Sequence, residues 1–194
     1  KQHSVMAAIQ CAGNRRDDFN KQKEVKGLTW DVGAIGNAVW SGPKLRDILM
    51  WAGVDPESPE LMHVHFEGLD KDFEKNYAAS IPIDKAMSPA GDVILALQMN
   101  GEEIPIDHGF PVRAVVPGVV GARNVKWLGK VHVSKDESKG HWQQLDYKGF
   151  SPDADWRSLD FNSAPAIQEL PVQSAITHIK PESDVISIKG YAWS

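Results

Sequence analysis

Residues 93–116 read VILALQMNGEEIPIDHGFPVRAVV, and the order of signals in this stretch decides the fold class. Val93–Met99 is apolar and predicts a strand, as does Arg113–Val116. Asn100-Gly101 lies between short runs that can pair, and it predicts a tight hairpin because both positions tolerate positive φ. A loop punctuated by glycine and proline then leads into the second strand. The stretch therefore predicts strands joined by a turn and a loop, without a helix.

The rest of the chain has few helical signals. Pro43–Ala52 has proline near its start, an apolar stripe and Gly53 as a stop, so it predicts a helix. Pro82–Met87 predicts one short helical turn. Strand signals are more numerous: Val5–Gln10, Leu61–Glu67, Val125–Val133, Val172–Ile176 and Val185–Trp193. Because helices and strands do not alternate regularly, we expect a mixed α+β domain of mostly strands and long ordered loops.

Composition and charge exclude several classes of protein. The chain has 194 residues, of which 42% are hydrophobic and 24% charged, which is typical of a globular domain. The net charge of -5 argues against a nucleic-acid binder, which usually presents a basic face. No apolar run approaches the roughly 20 residues of a membrane-spanning helix, so we expect no membrane span. With one cysteine, neither a disulfide framework nor a Cys-rich zinc site can form within the chain.

The two ends of the sequence predict a piece of a longer protein. The chain starts with Lys1, and its last strand has nothing after it with which to pair. Residues 151–171 are loop-like, and we place a domain boundary around Pro165–Pro171. This gives a main domain over residues 1–168 and the beginning of a second, β-rich domain over residues 169–194.

The only thiol of the chain lies in a chemically suggestive segment, QCAGNRR at residues 10–16. Cys11 follows a predicted strand and precedes a Gly-Asn turn and two arginines. Nearby guanidinium groups favour the thiolate, which binds metals and attacks electrophiles. A buried structural cysteine beside surface arginines explains the same pattern, because free cysteine is among the most buried residue types.

Two loops carry groups that suit an anion. Asp107, His108 and Arg113 fall within seven residues, and such a loop can clamp an anion or cofactor or be an ordinary surface loop with a His–Asp contact. In VPGVVGARNVKWL, residues 116–128, small residues permit close approach of a ligand, and Arg123 and Lys126 could meet a phosphate. This loop is neither a dinucleotide fingerprint nor a Walker loop.

Three other residues are less informative on their own. His63 and His65 alternate on a strand, so both imidazoles face one side. No third ligand is spaced nearby to complete a metal site, and we expect these histidines to lie on a solvent face. Tyr147, alone, is an ordinary loop tyrosine.

Taken together and in order, six segments resemble the sulfite oxidase family: CAGNRR (11–16), FEGLD (66–70), MNGEEIPIDHGFPVR (99–113), VPGVVGARNVKWL (116–128), DYKGFSPDADW (146–156) and PVQSAI (171–176). The match covers essentially the whole chain. The resemblance implies a molybdopterin-binding domain that lacks its N-terminal part, followed by the start of an immunoglobulin-like β-sandwich dimerisation domain.

The resemblance also implies a role for particular residues. Cys11 matches the cysteine whose thiolate binds molybdenum. Arg16, Trp30 and Tyr147 match residues of the substrate pocket. Six residues match positions that hold the pterin cofactor: Asp70, His108, Arg113, Asn124, Val125 and Lys126. Two further arginines of the family's substrate pocket lie outside this chain.

The activity implied by the resemblance is the oxidation of sulfite to sulfate by oxygen-atom transfer at molybdenum(VI), bound by molybdopterin. The pterin dithiolene and the protein thiolate are soft donors, so one cysteine is enough. In the family, electrons then pass through a b5-type haem, on a domain outside this chain, to cytochrome c. The resemblance further implies a homodimer in the mitochondrial intermembrane space.

Three alternatives stay open at this stage. The molybdenum domain of eukaryotic nitrate reductase shares several motifs, but the stretches at residues 27–40 and 141–156 are closer to animal-type sulfite oxidases. A non-catalytic molybdopterin-binding protein is disfavoured because Cys11 and Tyr147 are both present. A hydrolase with a cysteine nucleophile lacks a local Cys-His-Asn arrangement.

Overall fold

The described residues, 1–72 and 75–193 of a computed structural model, form eleven strands and four short α-helices. The strands are β1 His3–Gln10, β2 Ile35–Gly42, β3 His63–Asp72, β4 Lys75–Pro82, β5 Ile94–Ala96, β6 Gln98–Met99, β7 Glu102–Glu103, β8 Arg113–Val115, β9 Leu128–Ser134, β10 Gln173–Glu182 and β11 Val185–Trp193. The helices are α1 Arg16–Asn20, α2 Leu45–Trp51, α3 Ile83–Met87 and α4 His141–Gln144.

The strands pair antiparallel in four small sheets. One sheet has the order β1-β2-β6-β7 and another has the order β4-β3-β9. Strands β5 and β8 form a pair, and β10 and β11 form a separate hairpin. Cys11 directly follows β1, and Ala34 directly precedes β2, so the first sheet brings the start of the site together.

Two apolar clusters hold these sheets in place. Strand β3 alternates in burial: Val64 and Phe66 are fully buried, whereas His63 and His65, on the opposite face, are only half-buried. Leu45 and Leu49, one helical turn apart on α2, cover the same cluster. A second cluster forms around Trp40 in the first sheet. Loops that leave these clusters carry the candidate site residues.

Several sequence predictions are confirmed. The helix predicted at Pro43–Ala52 is α2, and the short turn at Pro82–Met87 is α3. The hairpin at Asn100-Gly101 joins β6 to β7, with φ values of 54° and 84° at the two turn residues. Mostly strands with few helices make the domain mixed α+β.

One predicted strand differs from the structure. Val93–Met99 is not continuous, because β5 pairs with β8 whereas β6 pairs with β2. The break falls at Leu97, whose N–H donates to the carbonyl of Ser41 in the first sheet. The chain therefore passes from one sheet to another within a single apolar run.

Two strands, β2 and β4, and two helices, α1 and the four-residue α4, carry no clear signal in the sequence. Strand β2 holds Gly36, Asn37 and Gly42, which are poor strand formers, and it is fixed by pairing with all of β1. Strand β4 is fixed by β3 in the same way. Helix α1 has five residues, too few for a periodic pattern. In the described ranges the longest helix has seven residues, and none could cross a membrane.

Candidate active site

Cys11 lies at the start of a tight turn between β1 and α1. Its N–H donates to the Ala34 carbonyl at 3.0 Å, and its own carbonyl accepts from Asn14 N–H at 3.0 Å. The half-buried Sγ accepts a weak hydrogen bond from Gly13 N–H at 3.4 Å. The backbone is thus fixed on both sides, while the thiol itself has little engagement.

Asn14 organises this turn, a role that the sequence alone did not indicate. The side chain is 3% exposed. Its Nδ2 donates to Gln10 Oε1 at 3.3 Å and to the hydroxyl of Tyr191 at 2.7 Å. Its Oδ1 accepts from Ala34 N–H at 3.0 Å. One amide therefore links β1, the segment before β2 and the hairpin β10–β11.

Arg16 and Trp30 lie against the same turn. A Cβ on Gly13 would be 2.7 Å from Trp30 Cδ1 and 2.8 Å from Arg16 Nη2, so both side chains pack on the glycine. Trp30 is 43% exposed, and its carbonyl accepts from Asp17 N–H at 3.1 Å. Arg16 Nη1 donates to the Leu28 carbonyl. The residues predicted for the substrate pocket are therefore brought next to the thiol turn.

Tyr147, the third residue that matches the family's substrate pocket, lies in the loop after α4. Burial raises the pKa of its hydroxyl, and Cys11 and Asp146 raise it further, while Arg123 and Arg16 oppose the shift in pKa. Cys11 and Arg16 are thus among the groups whose charges act on the Tyr147 hydroxyl. Its φ of 34° is in the left-handed region, which is unfavourable for a residue with a Cβ.

A second group of side chains forms around Arg113, which is 5% exposed. Its guanidinium donates to the carbonyls of His108 at 2.7 Å and Asn124 at 3.0 Å. It also stacks on Trp40, with Cζ 4.9 Å from the ring centroid. Burial lowers the pKa of Arg113 to about 10, so the side chain is still a cation at neutral pH. No carboxylate forms an ion pair with it in the part of the chain that the structure describes.

Lys126 adds a second cation to this group. Its Nζ donates to the Asp107 carbonyl at 2.8 Å and lies 4.1 Å from the Trp127 ring centroid. Burial and, next, the charge of Arg113 lower the pKa of Lys126. Gly109 allows the close approach of the two loops, because a Cβ there would lie 2.9 Å from Lys126 Cβ and 3.2 Å from Arg113 Cβ.

Asp70 contributes an acceptor without a donor. Its Oδ1 is buried and has no hydrogen-bond partner among the residues that the structure describes, which is rare for a native carboxylate. Asp70 also favours the charged form of Lys126 and thereby raises the pKa of that lysine against burial, so the two residues are neighbours.

Asn124 and Val125, which match cofactor-holding positions of the family, are both buried. Asn124 is 3% exposed; its Oδ1 accepts from Val116 N–H at 2.7 Å, and its Nδ2 donates to the Val120 carbonyl at 3.1 Å. Val125 is 1% exposed and belongs to the core. Both side chains shape the loop, so only their backbone groups are left to meet a ligand.

The suggestion that Arg123 meets a phosphate is wrong for its side chain. Arg123 is 0% exposed, and its guanidinium donates to the carbonyls of Ile167 and Trp142. The sequence of this Gly-rich loop does not distinguish a buried structural arginine from one that binds an anion.

His63 and His65 lie on the outer face of β3, as the alternation predicts. His65 stacks on His132 of β9, with ring centroids 4.5 Å apart, and its Nε2 contacts the Asp136 carbonyl. Among residues 1–72 and 75–193, no three His, Cys, Asp or Glu side chains converge on a metal position.

These groups fit a molybdenum cofactor held by a single protein thiolate. Within residues 1–72 and 75–193, no carboxylate forms an ion pair with the cations Arg113 and Lys126, which suits a phosphate. The buried Asp70 Oδ1 suits an N–H donor of a pterin ring. Cys11 offers a soft sulfur ligand. A cavity of about 240 Å³, whose lining includes Ile9, His108 and Arg113, extends from the end of β1 to the cationic group.

Comparisons with known proteins agree with this geometry. The family model described as oxidoreductase molybdopterin binding domain matches residues 1–142. Sulfite oxidase from Gallus gallus is 58% identical over 99% of this chain and 43% of its own length. Mitochondrial sulfite oxidase from Homo sapiens is 56% identical over 99% of this chain and 36% of its own length. The chain thus spans less than half the length of these two relatives.

More distant proteins share the same domain. Nitrate reductase [NADH] 1 from Phaseolus vulgaris is 35% identical over 99% of this chain and 24% of its own length. The crystal structure of the sulfane dehydrogenase SoxCD from Paracoccus pantotrophus matches with a TM-score of 0.73 and 27% identity, over 91% of this chain and 41% of that one.

Proposed function

The chain belongs to the oxidoreductase molybdopterin binding domain family, and on that premise we propose that it is the catalytic part of an animal-type sulfite oxidase, which oxidises sulfite to sulfate. The observation that carries this proposal is the single thiol, Cys11, in a turn on whose Gly13 both Arg16 and Trp30 pack. The higher identity to proteins named sulfite oxidase than to nitrate reductase supports sulfite as the substrate.

The cofactor would be held at two ends. Cys11 would bind the metal, and His108, Arg113 and Lys126 would bind the phosphate of the pterin. Asp70 would accept from an N–H of the ring, and Asn124 and Val125 would contribute backbone groups. When bound, the cofactor supplies a metal that exchanges an oxygen atom and two electrons with the substrate.

The remaining residues act on the substrate. Arg16 presents a permanently charged, forked donor to an oxyanion. Trp30 covers the charge with an apolar ring, which limits access of water and strengthens the electrostatic attraction. Tyr147 holds its phenolic proton, because its pKa is raised, and donates it in a hydrogen bond to substrate or product.

The rest of the protein enters the proposal through its relatives. We place residues 1–168 in the catalytic domain and residues 169–194 in an immunoglobulin-like β-sandwich through which two chains dimerise. The separate pairing of β10 with β11 supports this division. Electrons would pass through a b5-type haem to cytochrome c in the mitochondrial intermembrane space; the name of the human relative supports a mitochondrial location.

Molybdenum analysis and turnover of the full-length protein test this function. We expect about one molybdenum per chain and sulfite-dependent reduction of cytochrome c. Cys11→Ser should abolish turnover and leave the pterin bound, because an alkoxide is a harder and more basic ligand than a thiolate. Nitrate-dependent turnover would indicate a nitrate reductase, and bound cofactor without turnover would indicate a non-catalytic binding protein. Normal sulfite oxidation by the serine variant would exclude Cys11 as the ligand.

A further inference from the structure

The guanidinium of Arg123 is a buried cation whose hydrogen bonds go to backbone carbonyls. Nε and Nη2 donate to the Ile167 carbonyl at 3.1 and 2.9 Å, and Nη1 donates to the Trp142 carbonyl at 3.1 Å. Within the described ranges, no carboxylate forms an ion pair with it. Removing a charge from water without an ion pair is unfavourable, so we expect a buried arginine of this kind to have a specific function.

The contacts of Arg123 lead directly to Tyr147. Ile167, whose carbonyl Arg123 binds, donates its own N–H to the Tyr147 carbonyl at 2.8 Å. Arg123 Cζ lies 5.9 Å from the centroid of the Tyr147 ring, and the ring of Trp142 lies 6.2 Å from it. One guanidinium therefore fixes both backbone segments that border the tyrosine.

Tyr147 needs such support because its backbone is in an unfavourable conformation. A φ of 34° brings Cβ close to the following carbonyl, and this conformation persists only where neighbouring groups impose it. The hydrogen bond from Ile167 and the packing of the two rings impose it here. The fork on the Ile167 carbonyl therefore fixes the residue whose N–H holds the Tyr147 backbone.

We propose that Arg123 is a positioning residue that holds the backbone and ring of Tyr147 in place at the candidate active site. Arg123 acts on the substrate only through Tyr147, and this part of the inference rests on the proposed function. The rival explanation is a general structural role, in which Arg123 stabilises the fold and affects Tyr147 no more than any other residue.

Amide hydrogen exchange of the full-length, cofactor-loaded protein tests the positioning without using activity. Arg123→Lys keeps the charge but replaces the planar fork with one ammonium, which cannot span both carbonyls. Loss of about one hydrogen bond should speed exchange of the Ile167 amide by roughly tenfold. The control is Ser41→Ala, which removes a buried hydroxyl contact to Ser4 in the first sheet. Unchanged exchange at Ile167 in the lysine variant would overturn the positioning.

A double-mutant cycle on kcat/KM for sulfite tests whether Arg123 acts through Tyr147. Arg123→Lys should lower kcat/KM about tenfold in the wild-type background and less than about twofold in the Tyr147→Phe background. Equal losses in both backgrounds would support the general structural role and overturn the proposal. Normal kcat/KM in Tyr147→Phe alone would remove Tyr147 from the proposed function, and hydrogen exchange would still decide whether Arg123 positions it.

A second variant tests the hydrogen bond between Ile167 and Tyr147 directly. Ile167→Pro removes the N–H that donates to Tyr147 and leaves the guanidinium unchanged. We expect the same dependence on the Tyr147 background as for Arg123→Lys. A loss of kcat/KM that is equal in both backgrounds would again contradict the proposal.

Discussion

Arg16 and Arg123 have the same side chain but different partners. Arg123 is fully buried, and it donates from Nε, Nη1 and Nη2 to backbone carbonyls. Arg16 is half-buried; its Nη1 donates to the Leu28 carbonyl, and its Nη2 lies against Gly13 in the thiol turn. Arg16 therefore keeps donors that an anion near Cys11 can use, whereas Arg123 does not. This contrast is the reason to assign substrate binding to one and positioning to the other.

Arg16→Gln should reduce sulfite efficiency and leave the cofactor in place. Glutamine has a similar reach but no charge, and a charge-assisted hydrogen bond contributes about 1.5–3 kcal/mol. We therefore expect kcat/KM to fall roughly 10- to 150-fold, mostly through a higher KM, with molybdenum content unchanged. Steady-state kinetics alongside metal analysis measure both quantities.

Arg15→Gln is the matched control for this prediction. Arg15 lies in the same turn, but its guanidinium already binds Asp18 at 2.8 Å and the Ser174 carbonyl at 2.8 Å. Kinetics within about twofold of wild type are expected for this variant. Normal kinetics in Arg16→Gln would show that Arg16 is an ordinary surface charge. Loss of molybdenum would show that Arg16 binds the cofactor rather than the substrate.

Arg113→Gln should weaken retention of the cofactor. The amide can still donate to one of the two carbonyls that Arg113 holds, but the charge that suits a phosphate is lost. We expect the apparent affinity for the cofactor to fall roughly 10- to 150-fold. The rise in Tm between cofactor-free and loaded protein should shrink, because ligand stabilisation follows affinity. Arg157→Gln, an exposed arginine in the loop before β10, is the control and should keep the full rise. An unchanged rise in Arg113→Gln would exclude the residue from the phosphate site.

At the scale of elements, the hairpin β6–β7 shows what one backbone angle contributes. Gly101 has a φ of +84°, and a Cβ placed there would have no neighbour within 4 Å. Gly101→Ala should thus lower the free energy of unfolding by about 1–2 kcal/mol through strain alone. Gly36→Ala in β2 also meets no neighbour and has no positive φ, so it should be neutral or stabilising by up to about 1 kcal/mol. Denaturant unfolding measures both; equal effects would show that strain is not the cause.

The sequence predicts those elements of the fold whose residues encode them locally, and it does not predict elements that depend on distant partners. The hairpin at Asn100 and the helix α2 are encoded locally, by turn residues and by a helical stripe, and both predictions are confirmed. Strand β2 is encoded by its partner β1, which no local pattern reveals. The break at Leu97 likewise depends on a hydrogen bond to Ser41, which is distant in the sequence.

The candidate site divides in the same way. Cys11 and Arg16 share one short segment, so their chemistry can be recognised from the sequence. Asn14 and Arg123 act through contacts with residues far along the chain, Tyr191 and Ile167, and the sequence gives no sign of these pairings. The roles of the cofactor and substrate residues stay predictions that the variants above can test.

At the scale of the whole molecule, the hairpin β10–β11 is in contact with the thiol turn. The Tyr191 hydroxyl accepts from Asn14 Nδ2 at 2.7 Å, and the Ser174 carbonyl accepts from Arg15 Nη1 at 2.8 Å. Asn14 in turn holds the segment before β2, whose Ala34 carbonyl fixes the Cys11 backbone. A change in the C-terminal hairpin can therefore reach Cys11 through a path of three hydrogen bonds, from Tyr191 to Asn14, from Asn14 to Ala34 and from Ala34 to Cys11.

Tyr191→Phe should loosen the thiol turn while leaving the hairpin paired. The substitution removes the acceptor of the buried Asn14 amide, and an unsatisfied buried donor costs about 1–3 kcal/mol. The expected results are a lower Tm and faster hydrogen exchange at the amides of Cys11 and Asn14.

Thr177→Val is the matched control, because it removes a hydroxyl contact to the Lys189 carbonyl within the same hairpin but does not touch the turn. It should leave exchange at Cys11 unchanged. Because the thiolate must be held in place to act as a metal ligand, Tyr191→Phe should also lower sulfite turnover. Wild-type exchange at Cys11 and Asn14 in Tyr191→Phe would show that the turn is fixed by β1 and β2 alone.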